Sequence, residues 1–183
     1  MSKAEHLVQR AMQLFYRQGF HATGVDQLSR EGELTKKTLY RYFPTKEALV
    51  HAALRARHEA LLGRIRAHVE RRPLQQRPLA YIDFVCGWSR EPDFCGCAFI
   101  NAAAEYADAA DPAHAIAAEH KKSLRDYLQR LCEEAGLAAP ARAASSLFLI
   151  GEGLTVAAQV AGADTALADQ AMALAAAALA QPA

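Results

Sequence analysis

A chain of 183 residues, 52% hydrophobic and 22% charged, is long enough for one well-filled domain or for a small domain beside a larger one, so it does not depend on disulfides to fold. Much of the hydrophobic share is alanine, and with leucine, glutamate, arginine and glutamine it favours helices over strands and predicts an all-α protein. The formal charge of +1 says little, but its distribution does: 14 of the 21 Lys and Arg, against seven of the 20 Asp and Glu, fall within residues 1–72. A basic end followed by an acidic remainder suggests a surface for a polyanion at one end of the chain.

In chain order, Ala4, Leu7, Val8, Ala11, Leu14 and Phe15 repeat at spacings of three and four and predict a first helix, stopped at Gly19. Glu5, His6, Gln9 and Arg10 break up the apolar run that a secretory leader requires, so the chain is expected in the cytoplasm. Thr23 is placed to cap a second helix with Asp26 in its first turn and Val25 and Leu28 pointing inward. Thr35 is placed to cap a third, which runs until Phe43, where Pro44 disfavours helix in the preceding residue. On that third helix Leu39 and Phe43 lie one turn apart and face inward, leaving Lys36, Lys37, Thr38, Tyr40, Arg41 and Tyr42 outside.

Two helices joined by a short turn, the second presenting cations, hydroxyls and phenols, match a helix-turn-helix whose second helix enters a DNA major groove. Lys46 strengthens this reading. A cation in the first turn of a helix opposes the macrodipole, and a bound phosphate would reverse that penalty beside the free N–H groups and Thr45.

Thr45 caps a long fourth helix, predicted over 46–69 because no proline interrupts it before Pro73. Helices are then predicted near 76–89, 97–108, 113–135, 140–161 and 165–180. The most apolar segment, SSLFLIGEGLTVAAQVAGA, carries Glu152 and Gln159, so it is expected to be a buried helix and not a membrane span. Glu152 either faces a pocket and pairs with a ligand or lies in an interface. In the sixth helix Phe99, Ala103 and Tyr106 share one face, while Asn101 and Glu105 share another, a wall suited to a pocket. Phe84, Trp88 and Phe148 are candidates for the same cavity.

Four cysteines, Cys86, Cys95, Cys97 and Cys132, include no C-x-x-C pair and have no histidine at ligand spacing, so neither a metal site nor a cofactor is expected. Cys95 and Cys97 are expected as packed thiols, with a reactive sensor as the alternative. Alanine-rich final helices with small residues on more than one side suggest a symmetric four-helix interface between two copies. An enzyme using Cys97 with His120 or Glu105 is a weaker rival, because no nucleophile, base and orienter can be assembled and no Gly-rich phosphate loop is present.

The stretch LFYRQGFHATGVDQLSREGELTKKTLYRYFPTKEALV resembles the N-terminal DNA-binding segment of the TetR/AcrR family of bacterial transcriptional regulators, in its Gly-aromatic turn, its Thr cap and its TLYRYF end. A shorter likeness lies in GCAFINAAAE, similar to the start of the sixth helix in some members. The resemblance implies a helix-turn-helix DNA-binding domain over residues 1–45 and a ligand-binding and dimerisation domain over 46–183. It implies a homodimeric, non-enzymatic repressor that leaves a palindromic double-stranded operator when a small molecule binds. By position, Thr35, Lys36, Lys37 and Thr38 fall where the family reads bases, and Tyr40, Tyr42, Lys46 and Thr23 where it contacts backbone. Phe84, Trp88, Phe99, Asn101, Glu105, Phe148 and Glu152 form the expected ligand set. Two departures stand out: Glu33 follows Gly32 in the turn, so one of them must take the left-handed conformation, and Lys37 stands where the family often has glycine.

Overall fold

The computed structural model describes residues 2–180, which form nine α-helices and one 3-10 turn, with no strand among them. Two compact units divide the chain. The first comprises Met1–Leu61 with Ala98–His120, and the second Leu62–Cys97 with Lys121–Ala183.

In the first unit α1 (Lys3–Gln18) begins with a capping box, the Glu5 amide donating to Ser2 Oγ at 3.2 Å and the Ser2 amide to Glu5 Oε2 at 2.8 Å. Its inward stripe is Leu7, Ala11, Met12 and Phe15, and Gly19 ends it at φ 91°, a conformation that suits glycine. The cap expected at Thr23 is corrected. Gly24 is the N-cap of α2 (Val25–Glu31) and carries no side-chain bond, while Thr23 is fully buried with its hydroxyl donating to Gly19 O at 2.6 Å. A threonine beside a helix start offers the same local signal in either case; here burial beneath the turn takes the hydroxyl.

The connection from α2 to α3 (Lys36–Tyr42) is set by close packing. Gly32 stays right-handed, and a Cβ there would stand 2.6 Å from Leu7 Cδ1, so glycine is required for space. Glu33 takes the left-handed conformation in the turn at φ 54°, at a cost of about 1 kcal/mol for a non-glycine residue. Thr35 caps α3 as expected, its Oγ1 accepting from the Thr38 amide at 3.2 Å. Leu39 is fully buried, whereas Phe43, expected beside it, is the C-cap and only half-buried.

The fourth helix, α4 (Lys46–Val69), starts and ends where the sequence predicts, with Thr45 Oγ1 accepting from the Ala48 amide at 3.1 Å. Also in the first unit, α6 (Ala98–Glu105) is shorter than predicted. Asp108 starts a turn in which its carboxylate accepts from the Ala110 amide and its carbonyl from the Asp111 amide, both at 2.9 Å, and this local bonding competes with helix. The long α7 (Pro112–Glu134) follows.

The second unit packs α5 (Arg77–Trp88), entered through the 3-10 turn Leu74–Gln76, against α8 (Pro140–Ala161) and α9 (Thr165–Leu179). Tyr81, Ile82, Phe84, Val85 and Trp88 of α5 are buried. At Gly151 a Cβ would stand 2.5 Å from the Tyr81 hydroxyl, so α5 and α8 approach closely only because that position lacks a side chain. Asp164 caps α9, accepting from the Leu167 amide at 3.0 Å. By length and composition α8 alone among the described helices could cross a membrane; the buried helix expected from sequence is found on one face only, with Leu147, Gly151, Leu154 and Ala158 inside the unit and Leu149 and Val160 exposed.

Candidate nucleic-acid interface and effector residues

The surface of α3 is assembled by its cap. Because Thr35 closes the first turn, Lys36, Lys37 and Thr38 open the helix, and the one buried position, Leu39, turns Tyr40 and Arg41 outward. Thr35 Oγ1 and Thr38 Oγ1 are 3.0 Å apart and share a hydrogen bond. Lys36 is held by Asp26 at 2.5 Å, which raises its pKa, the hydrogen bond contributing most and the carboxylate charge next. Lys37 is exposed and makes no hydrogen bond or ion pair among the described residues. Tyr40 is 43% exposed, and Arg41 lies 5.3 Å from the ring centroid of half-buried Tyr42.

Lys46 opens α4 half-buried, and its ammonium donates to the carbonyl of His21 at 3.1 Å. No residue pattern marks that bond, since the partner is a main-chain atom 25 residues earlier. Thr23, expected to contact phosphate, presents no surface to it: the residue is 0% exposed and its hydroxyl is spent on Gly19.

The expected ligand residues fall into both compact units. Phe99, Asn101 and Glu105 belong to the first. Phe99 is buried and lies flat on His120, ring centroids 3.7 Å apart, and His120 Nδ1 meets His58 Nδ1 at 3.2 Å. Asn101 is half-buried, with partners among its neighbours. Glu105 is engaged within its own unit: its two oxygens accept from the main-chain amides of Phe20 and His21 at 2.9 and 2.7 Å.

Phe84, Trp88, Phe148 and Glu152 belong to the second unit. Phe84 and Trp88, stacked 6.3 Å apart, wall a cleft of about 330 Å³ together with Arg64, His68, Arg71 and Asp83. His68 Nε2 is 2.8 Å from Asp83 Oδ2 there, and Arg64 pairs with Glu91. Phe148 lies under the guanidinium of Arg125 at 5.9 Å. Glu152, expected to meet a ligand or an interface, is paired inside the chain: Lys121 Nζ lies 2.7 and 2.6 Å from its two oxygens and 3.4 Å from Cys97 Sγ. Beside it, burial and the Glu152 charge push the Tyr81 phenol far above its ordinary pKa. Cys97 is buried and Cys95 half-buried, and no group of three or more metal-ligating side chains converges among the described residues.

Two short helices set at a tight turn, the second offering cations and hydroxyls from a capped N-terminus, define a helix-turn-helix protein. Residues 7–53 match the family model of bacterial regulatory proteins, tetR family. Over 157 residues the chain is 26% identical to the HTH-type transcriptional regulator YjdC of Escherichia coli (strain K12), covering 81% of this chain and 79% of that one. Over 75 residues it is 33% identical to the HTH-type transcriptional regulator TcmR of Streptomyces glaucescens, covering 41% of this chain and 31% of that one. The structure superposes on a TetR-family transcriptional regulator from Streptomyces coelicolor with a TM-score of 0.89 and 27% identity, covering 98% of this chain and 95% of that one. By the family model over its N-terminal segment and by fold over nearly its whole length, the chain is similar to TetR-family transcriptional regulators.

Proposed function

We propose that this chain is a ligand-responsive repressor without catalytic activity, acting in the cytoplasm as a homodimer that leaves a palindromic operator when a small molecule binds its C-terminal part. The observation that carries the reading is the outer surface of α3, where unpaired Lys37 stands beside Lys36, Thr38, Tyr40 and Tyr42 behind the Thr35 cap. In this reading Thr35, Lys36, Lys37 and Thr38 face base edges, while Tyr40, Tyr42 and Lys46 donate to phosphates. The reading part ends near residue 45, and the rest of the chain serves pairing and ligand response.

A second copy is supported by apolar side chains left in water on the last two helices. Leu149 is 68% exposed and Val160 81% on α8, and Leu174 is 60% exposed on α9. To read an inverted repeat, the two α3 helices of a two-fold dimer would have to lie about one DNA turn apart, roughly 34 Å. For the effector, Phe84 and Trp88 supply an aromatic wall, and Phe148 and Glu152 stand in the same unit. Thiol-based sensing is a second reading, favoured by Lys121 Nζ at 3.4 Å from Cys97 Sγ.

Selection of binding sites from random-sequence duplexes tests the proposal. Enrichment of an inverted repeat, bound with a steep dependence on salt, is the expected result. Enrichment of no sequence would end the DNA-reading assignment.

A further inference from the structure

His21 is gripped from both of its main-chain sides. Its N–H donates to Glu105 Oε2 at 2.7 Å, and its carbonyl accepts from Lys46 Nζ at 3.1 Å. The neighbouring Phe20 N–H donates to Glu105 Oε1 at 2.9 Å, so one carboxylate binds two successive amides that follow the end of α1. These amides have no place in a helix, and charge-assisted bonds to a carboxylate are among the stronger main-chain bonds available to them. The Tyr106 ring lies 4.6 Å from the His21 ring and 6.1 Å from that of Phe20, closing the group from the side of α6. Gly19 belongs to the same arrangement, since a Cβ there would stand 3.0 Å from Glu105 Oε1.

We infer that Glu105 and Lys46 form a latch on the His21 peptide that sets where the helix-turn-helix begins and so holds its two helices in the position that reads DNA. The next side-chain bond along the chain, Thr23 to Gly19 O, passes the setting to the start of α2. Lys46 has two competing acceptors: the His21 carbonyl and a DNA phosphate. Glu105 is a positioning residue in this scheme and does not touch DNA. The latch rests on the DNA-reading function proposed above and names the residues outside the DNA surface that hold the reading helices in place.

The test compares Glu105→Ala and Glu105→Gln with the unaltered chain by amide hydrogen exchange and by binding to duplexes selected on the unaltered protein. A latch predicts that Glu105→Ala speeds exchange at Phe20 and His21 at least tenfold and across residues 25–42 several-fold. It also predicts that DNA binding weakens tenfold or more with the salt slope unchanged, because no phosphate contact is lost. Glu105→Gln, with one acceptor left, should fall between the two, and it serves if the alanine variant does not fold. Unchanged exchange across 25–42 in the folded variants would overturn the inference, as Glu105 would then close only a local turn. If the unaltered protein selects no duplex, the DNA-reading proposal fails, while the exchange measurement still decides the latch.

Discussion

Lys121 and Glu152 form a part-buried ion pair, 2.6 Å at its shorter contact, whose side chains are only 21% and 23% exposed. Removing one partner leaves the other charge with little water to replace it, whereas removing both leaves none. Glu152→Leu alone should cost roughly 2–4 kcal/mol, and Lys121→Met with Glu152→Leu clearly less than either single change. Urea unfolding of the three variants checks this, and additive losses would show that the pair is solvated.

Lys37 and Lys46 should respond differently to removal. Lys37→Ala should change which bases are preferred, by about 1–3 kcal/mol at the affected position, because an unpaired side chain on α3 is free to reach base edges. Lys46→Ala should lower the salt slope by about one phosphate. A slope unchanged in Lys46→Ala would mean that its ammonium serves the His21 carbonyl alone.

The exposed apolar residues on α8 and α9 give the dimer its own test. Val160→Glu with Leu174→Glu places charge where a second copy would bury carbon, so sedimentation should show a monomer for this variant and a dimer for the parent. Helical content should be unchanged, since both positions face solvent in the single chain. A dimer that survives both substitutions would move the interface elsewhere.

The thiols should react in a fixed order. Burial pushes Cys132 up to about 11 and Cys86 upward as well, and Cys97 is 3% exposed, while Cys95 is half-buried. With an aromatic disulfide reagent at pH 8, Cys95 should be modified first, Cys97 beside Lys121 more slowly, and Cys86 and Cys132 only on unfolding. Rapid labelling of Cys132 in the folded protein would contradict its burial.

Alkaline pH should destabilise the fold through Tyr106 and Tyr127. Burial raises both from the ordinary 10.0 to about 12, with Glu47 adding to the effect at Tyr106 and Glu70 at Tyr127. Between those values the unfolded chain has lost protons that the folded chain keeps, so stability falls as pH rises. Their contribution is complete below pH 10 and lost above about 12. Urea midpoints measured at pH 9 and pH 11.5 should decline, and Tyr106→Phe should flatten part of the decline.

Local rules made much of this legible. The limits of α4 follow from the Thr45 cap and the absence of proline, and the left-handed turn residue is signalled by Gly32 and Glu33 side by side. Which of those two carries the positive φ is not decided by their being side by side: Gly32 keeps φ −82° and Glu33 takes 54°. Thr23 misled: its sequence context suits a cap, but tertiary burial captured its hydroxyl. The polar contacts hardest to foresee are those of Glu105, whose acceptor role joins atoms 84 and 85 residues apart and leaves no periodic trace. Glu152 announced that it needed a partner, and only folding identifies it as Lys121.

Gly96 takes φ 82°, and a Cβ at this position would overlap the end of the Gln159 side chain, which occupies the space that glycine leaves open. The two positions are therefore expected to covary through evolution. Chains that keep a long side chain at the second should keep glycine at the first, and an exchange to alanine should follow only where the glutamine has already shortened. Gly96→Ala paired with Gln159→Ala would reproduce that history in the laboratory, leaving only the left-handed backbone as the remaining cost.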